Sequence, residues 1–175
     1  MNDLLAVARV HYFAVPAFNI SSGMLLSGAI EASDEKRSPV ILAIHPDELA
    51  FVRPSFVKSV IEEANKATIP VCIHMDHGSS LAQIMEAIQC GFTSVMIDAS
   101  ELPLEKNIDI CKEVVELSHS VNVSVEGELG TIGSLDSEAE AGTDKIIYTN
   151  PDDVVTFVEA TDVLKLNDNV PVGTR

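Results

Sequence analysis

Residues 69–91 read I-P-V-C-I-H-M-D-H-G-S-S-L-A-Q-I-M-E-A-I-Q-C-G. Two periods meet here. Val71–Asp76 is apolar at nearly every position, the pattern of a strand covered on both faces. Pro70 stands just before it, where a missing N–H is tolerated. From Leu81 onward, Leu81, Ile84, Met85 and Ile88 fall at i, i+3, i+4 and i+7, which is one face of a helix. Ser80 and Gln83 have capping-box spacing at its start, and Gly91 follows the last apolar turn as a C-cap. The stretch is therefore strand, turn, helix.

The same unit recurs on both sides. Strand-like runs are Ala14–Asn19, Val40–His45, Ser94–Ala99 and Ser124–Leu129. A first helix is expected from Ser22 to about Ser33, and a second follows Pro54 with Val57, Val60, Ile61 and Ala64 on one face. Ile108, Cys111, Val114 and Val115 mark another. Asn150 and Pro151, with Asp152 and Asp153 in the first turn, start the last, whose apolar face is Val154, Val155 and Val158. Five βα units imply a parallel sheet with right-handed crossovers. A doubly wound open sheet is complete at five strands, whereas a (β/α)8 barrel needs eight units and about 250 residues. The absence of G-x-G-x-x-G and Walker A sequences weakens the nucleotide-binding open sheet. Gly130–Thr149 reads as a long polar loop, a lid or an insert.

Lys plus Arg total 11 and Asp plus Glu 27, a net charge of −16. That balance disfavours nucleic acid and anionic membranes as partners. An anionic ligand would need a local site that offsets the charge. No apolar run reaches the length of a membrane span, and the N-terminus lacks a basic leader with a cleavage site. Cys72, Cys90 and Cys111 form no C-x-x-C pair and are expected as free thiols in a cytoplasmic protein.

Parallel α/β folds gather reactive groups beyond the carboxyl ends of their strands. Here those ends carry Asn19, His45, Asp76-His77 and Asp98, with Glu126 and Glu128 on the fifth run. Buried carboxylates are costly unless paired, so successive strands bearing them point to one converging site. Alternation puts Asp76 on a face with His74, Asp98 with Met96 and Ser94, and Glu126 with Glu128 and Ser124. Four carboxylates would then face one mouth, with a cation as their natural companion. His77 stands free to ligate and Asp76 beside it could act as acid or base. His74 reads as a hydrogen-bonded interior residue, and His11 and His119 as surface groups. Lysines 36, 58, 66, 106, 112, 145 and 165 end no clear strand, so a Schiff-base mechanism has no good candidate. Carbonyl activation would fall to a metal. The motifs D-A-S and E-G-E alone also fit a carboxylate-bound Ca²⁺ or Mg²⁺ site without catalysis.

Taken together, V-P-A-F-N-I, S-P-V-I-L, I-P-V-C-I-H-M-D-H-G-S-S, G-F-T-S-V-M-I-D-A-S, V-S-V-E-G-E-L-G-T-I-G and I-Y-T-N-P-D-D-V-V-T-F-V-E-A-T resemble, in order, segments of the class II ketose-bisphosphate aldolases. The resemblance covers about residues 1 to 162. It implies a (β/α)8 TIM barrel, with residues 1–175 forming one partial domain of about five βα units and a divergent or truncated C-terminal part. It implies a catalytic Zn²⁺ that polarises the ketone, and leaves room for a second divalent or monovalent cation. By position, His77 resembles a zinc histidine and Asp76 the acid that moves a proton at the C4 oxygen. Asn19 resembles a substrate-binding residue, and Asp98 and Glu128 resemble carboxylates of the second-metal region. The implied reaction cleaves fructose or tagatose 1,6-bisphosphate reversibly to dihydroxyacetone phosphate and glyceraldehyde 3-phosphate. The implied assembly is a homodimer or homotetramer. Two further zinc histidines belong to G-T-x-H-G and H-G-G-S-G segments that do not occur among these residues, so the 175 residues alone are expected to bind zinc poorly and not to cleave. His45 stands where many members have Ser or Thr near the phosphate.

Overall fold

The computed structural model describes residues 1–131 and 148–163, together with the backbone of residues 165–168. In chain order the elements are α1 (Asn2–His11), β1 (Ala17–Asn19), α2 (Gly23–Lys36), β2 (Val40–Ile44), α3 (Pro46–Val52), α4 (Pro54–Lys66), β3 (Val71–Gly78), α5 (Leu81–Cys90), β4 (Ser94–Ile97), α6 (Leu104–His119), β5 (Ser124–Leu129), α7 (Pro151–Thr161) and β6 (Lys165–Asp168). The sheet order is β1-β2-β3-β4-β5-β6, and every neighbouring pair is parallel. Strands that follow sequence order without reversal form an arc of a barrel. A doubly wound sheet would reverse direction at its switch point.

Alternation sorts the strand residues. Val40, Leu42, Ile44, Ile73, Met75, Val95, Ile97 and Val125 join Val57, Val60, Ile84, Ala87, Val114 and Phe157 from the helices in one buried cluster. Each large side chain in such a layer contributes about 1.5–3 kcal/mol by leaving water. Helix α7 packs closely because Gly127 has no side chain: a Cβ there would lie 2.9 Å from the Phe157 ring. The opposite face carries Cys72, His74, Ser94, Met96, Ser124, Glu126 and Glu128, a mixed polar set that is also buried.

Local signals place the helices. The Ser80 hydroxyl accepts from the Gln83 N–H, and Gly91 adopts φ 99° at the C-cap. The Asn150 side chain accepts from the Asp152 N–H before Pro151. Helix α2 starts on Ser22, whose hydroxyl accepts from the Leu25 N–H.

Several elements differ from the sequence expectation. Strand β1 begins at Ala17 rather than Ala14, and β3 runs on to Gly78. Helices α1 and α3 were not anticipated, and neither was β6, a sixth strand in K-L-N-D. The loop expected over 130–149 lies largely outside the described residues. His11 is exposed as expected, but His119 is half-buried with its Nε2 enclosed.

Candidate metal and acid site

The site is set by an irregularity in β3. Met75 pairs with Val95 and Gly78 with Ile97, so three steps along β3 oppose two along β4. His77 occupies the extra position with φ 45°. Strict alternation would send residues 76 and 77 to opposite faces. A bulge with one residue in the left-handed region re-aims a side chain, and here it turns His77 towards the carboxyl ends of β4 and β5. Gly78 closes the bulge against its neighbours: a Cβ on it would sit 2.8 Å from the Met96 carbonyl oxygen and 2.9 Å from Ile84 Cδ1. The Asp98 N–H donates to the Gly78 carbonyl at 2.8 Å, restoring the ladder beyond the bulge.

Four strand ends now converge. His77 Nδ1 lies 2.9 Å from Asp98 Oδ2 and 3.5 Å from Glu128 Oε2, while His77 Nε2 lies 3.9 Å from Asp76 Oδ1. Asn19 Nδ2 donates to Asp76 Oδ2 at 3.0 Å, tying the end of β1 to that of β3. Asp98 Oδ1 accepts from both the backbone N–H and the hydroxyl of Ser100, at 3.1 and 2.7 Å. That fixes the carboxylate plane and leaves Oδ2 for His77. Asn107, fully buried on α6, donates from Nδ2 to the Glu128 carbonyl at 2.8 Å and accepts from the Cys111 thiol at 3.4 Å. Burial pushes that thiol up to about 12, so it stays protonated as the donor.

All the predicted residues Asn19, Asp76, His77, Asp98 and Glu128 therefore meet at one rim. Glu126 does not. It lies deeper on the same face, with Oε2 3.3 Å from His74 Nε2, and His74 Nδ1 is 2.9 Å from the Ser94 hydroxyl. Three carboxylates, not four, face the mouth. His74 is the interior hydrogen-bonded histidine that the sequence suggests.

The charges reinforce one another. The hydrogen bond to Asp98 outweighs burial and, with Asp76 and Glu128 nearby, raises the His77 imidazole to about 9. Burial opposes ionisation of Asp98, yet the hydrogen bonds from His77 and Ser100 prevail and hold it at about 2. A proton on His77 thus offsets the carboxylates, and a cation would do the same. One nitrogen and two carboxylate oxygens, from His77, Asp98 and Glu128, lie within 4.8 Å of one another. A mixed nitrogen and oxygen donor set of this spacing fits a divalent ion such as Zn²⁺.

Two contributors were not singled out in the sequence as supports of this site: Ser100 and Asn107, which hold the carboxylate strands. His45, a strand-end residue in the sequence, stands beside His77 with ring centroids 6.0 Å apart. Asn107 had a signal: a polar residue in phase with the buried stripe Ile108, Cys111, Val114 and Val115.

A parallel sheet in strict sequence order, with a His/Asp/Glu cluster at its carboxyl rim, defines a barrel of the kind that concentrates its chemistry there. The sequence model of the class-II fructose-bisphosphate aldolases matches residues 1–168, and the chain belongs to that family. It is 39% identical over 176 residues to the fructose-bisphosphate aldolase of Giardia intestinalis, covering 99% of this chain and 53% of that one. It is 40% identical over 168 residues to that of Staphylococcus aureus, covering 93% and 58%. The crystal structure of the YdjI aldolase from Escherichia coli K12 superposes with a TM-score of 0.84 at 32% identity, covering 94% of this chain and 59% of that one. The chain thus spans somewhat over half the length of these relatives. Among the described residues, no helix is long and apolar enough to cross a membrane.

Proposed function

We propose that these residues form the acid and metal portion of a ketose-bisphosphate aldolase site, cleaving fructose or tagatose 1,6-bisphosphate reversibly to dihydroxyacetone phosphate and glyceraldehyde 3-phosphate. The supporting observation is the convergence of His77, Asp98 and Glu128, with Asp76 alongside but outside the donor set. His77 would supply this chain's nitrogen donor to a Zn²⁺ ion, which would act as a Lewis acid on the ketone oxygen, and Asp98 and Glu128 would supply carboxylate oxygens to that ion or to a second cation beside it. Asp76 is the group that moves the proton at the C4 oxygen. Its Oδ2 accepts from Asn19 Nδ2, which orients the carboxyl, while its Oδ1 lies 3.9 Å from His77 Nε2. Asn19 thereby both positions the acid and borders the space for the triose. The protein acts on a small sugar bisphosphate in the cytoplasm, as a homodimer or homotetramer.

The division of labour is testable. In a complete relative bearing this segment, Asp76→Ala should retain near-normal zinc while cleavage falls about 10²–10⁴-fold, the usual worth of a positioned proton donor; the 175 residues alone should cleave in neither form. Exchange of the C3 proton of dihydroxyacetone phosphate with solvent should suffer less, because a different proton moves. His77→Ala should lose metal and both activities together. If Asp76 merely orients a ligand, its loss should weaken zinc by about 10–100-fold. Equal metal loss in the two variants would defeat the assignment of Asp76 as the acid.

A further inference from the structure

Below the mouth lies a second polar set that takes no part in the proposed chemistry. His74 on β3, Ser94 on β4 and Glu126 on β5 are 3%, 0% and 2% exposed. His74 Nδ1 lies 2.9 Å from the Ser94 hydroxyl, and its Nε2 lies 3.3 Å from Glu126 Oε2. One imidazole therefore spans three strands, reaching β4 with one nitrogen and β5 with the other. The groups at the mouth have the same origins: His77 is on β3, Asp98 follows β4 and Glu128 is on β5.

Stability alone does not account for this arrangement. A buried ion pair is often no more stabilising than apolar side chains of the same volume. What it adds is direction. Each polar atom needs its partner at a narrow range of distance and angle, so the strands cannot slide or spread without leaving a buried group unsatisfied. That constraint falls where the backbone offers least. His74 pairs in register with Ser94 and Met75 with Val95, but the next pair is Gly78 with Ile97. Asp76 and His77 thus stand in a gap of the β3–β4 ladder, just beyond the residues that the imidazole ties. On the far side of the tie, Glu126 is two residues from Glu128 on the same face of β5.

We propose that His74 and Glu126 are positioning residues, a buried crosspiece that sets the separation of β3 and β5 and so the distance between the His77 nitrogen and the Glu128 oxygen at the mouth. The assignment rests on the metal reading of that mouth. Neither residue is a ligand. Glu126 acts through Glu128 along β5, and His74 acts through the start of the bulge that carries His77.

The test is titration of the 175-residue chain with Zn²⁺ against a competing chromophoric chelator, with urea unfolding of the metal-free protein beside it. Glu126→Leu removes the acceptor, Glu126→Gln keeps one and removes the charge, and Ser94→Ala removes the partner on β4. Ile73→Val is the control, since Ile73 is buried in the apolar cluster on the other face of β3. It loosens the same strand without touching the crosspiece. Partners that orient metal ligands are worth about 10–100-fold in metal affinity. Glu126→Leu should weaken zinc by that factor and Ser94→Ala by less, while Glu126→Gln recovers most of the loss and Ile73→Val stays near wild type. Wild-type affinity in Glu126→Leu would overturn the proposal and leave the metal reading standing. Equal weakening in Glu126→Leu and Glu126→Gln would also overturn it, because charge and not place would then be what matters. So would zinc loss in Ile73→Val that tracks its lower urea midpoint. If Glu126→Leu does not fold, Ser94→Ala decides: weaker zinc supports the crosspiece and unchanged zinc overturns it. A wild-type chain that takes up no zinc at all would overturn the metal reading, and the proposal with it.

Discussion

His77 and Asp98 hold each other's charge, and the sign of their coupling fixes a pH window. The imidazole is raised from its ordinary value near 6.5 to about 9. Its contribution to stability is therefore complete below about 6.5 and lost as pH climbs through 9. The carboxyl is lowered from 3.8 to about 2, so its contribution is present above 3.8 and lost as pH falls through 2. In metal-free protein, the stability difference between wild type and His77→Gln should be greatest near pH 4–6.5 and shrink towards pH 10. Denaturant midpoints across that range in the presence of chelator measure it. A difference that stays flat or grows above pH 9 would contradict the pairing. With side chains 33% and 26% exposed, solvent screens the pair and the effect is modest. At this scale the sequence was informative about identity and poor about depth. Strand-end position picked out Asn19, Asp76, His77, Asp98 and Glu128. It could not separate Glu126, because two carboxylates two residues apart share a face and differ only in height along the strand.

Elements were legible where their apolar pattern was strong. The Ser124–Leu129 strand, the β2 start at Val40 and the α5 caps were all evident, because burial on both faces and Gly or Ser at the ends leave plain marks. Strand β6 was hidden by its polar K-L-N-D sequence. Helix α3 begins on His45 and Pro46 with Asp47 and Glu48, a start signal overshadowed by the strand end before it. The bulge in β3 had one outward sign, Gly78. Gly78→Ala should destabilise the protein by about 1–3 kcal/mol, since its methyl would press on a backbone oxygen that cannot yield freely. It should also lower metal content, because the strain falls on the residue next to His77. Urea unfolding and metal analysis together check this; an unchanged midpoint would show that β3 and β4 separate more easily than their contact suggests. Asn107→Leu tests the support of β5. It removes the donor to the Glu128 carbonyl, an expected loss of about 1–3 kcal/mol read from the same unfolding curves.

For the molecule as a whole, the repeating units were enough to give a parallel sheet, but they left two architectures open. The consecutive order β1 to β6 decided between them. Composition carried a different message, the charge of −16. If the proposed substrate is right, a bisphosphate approaching such a surface is repelled at a distance. Added salt shortens the Debye length from about 30 Å at 0.01 M to about 8 Å at 0.15 M. The value of kcat/KM for a ketose bisphosphate should therefore rise over that range, while binding of uncharged dihydroxyacetone should stay level. Stopped-flow or initial-rate measurements at several ionic strengths would show it. A fall with salt would mean that a local positive field outweighs the overall charge.

The one-residue insertion in β3 has a practical meaning for anyone transplanting this chemistry. Copying D-H-G onto a regular strand of another barrel would deliver the aspartate to the lumen and drive the histidine into the hydrophobic layer beneath the helices. The transferable unit is the irregular backbone with its glycine and the facing Met96 carbonyl. A designer who preserves that geometry could vary the flanking side chains, whereas one who preserves only the letters would have built half a site.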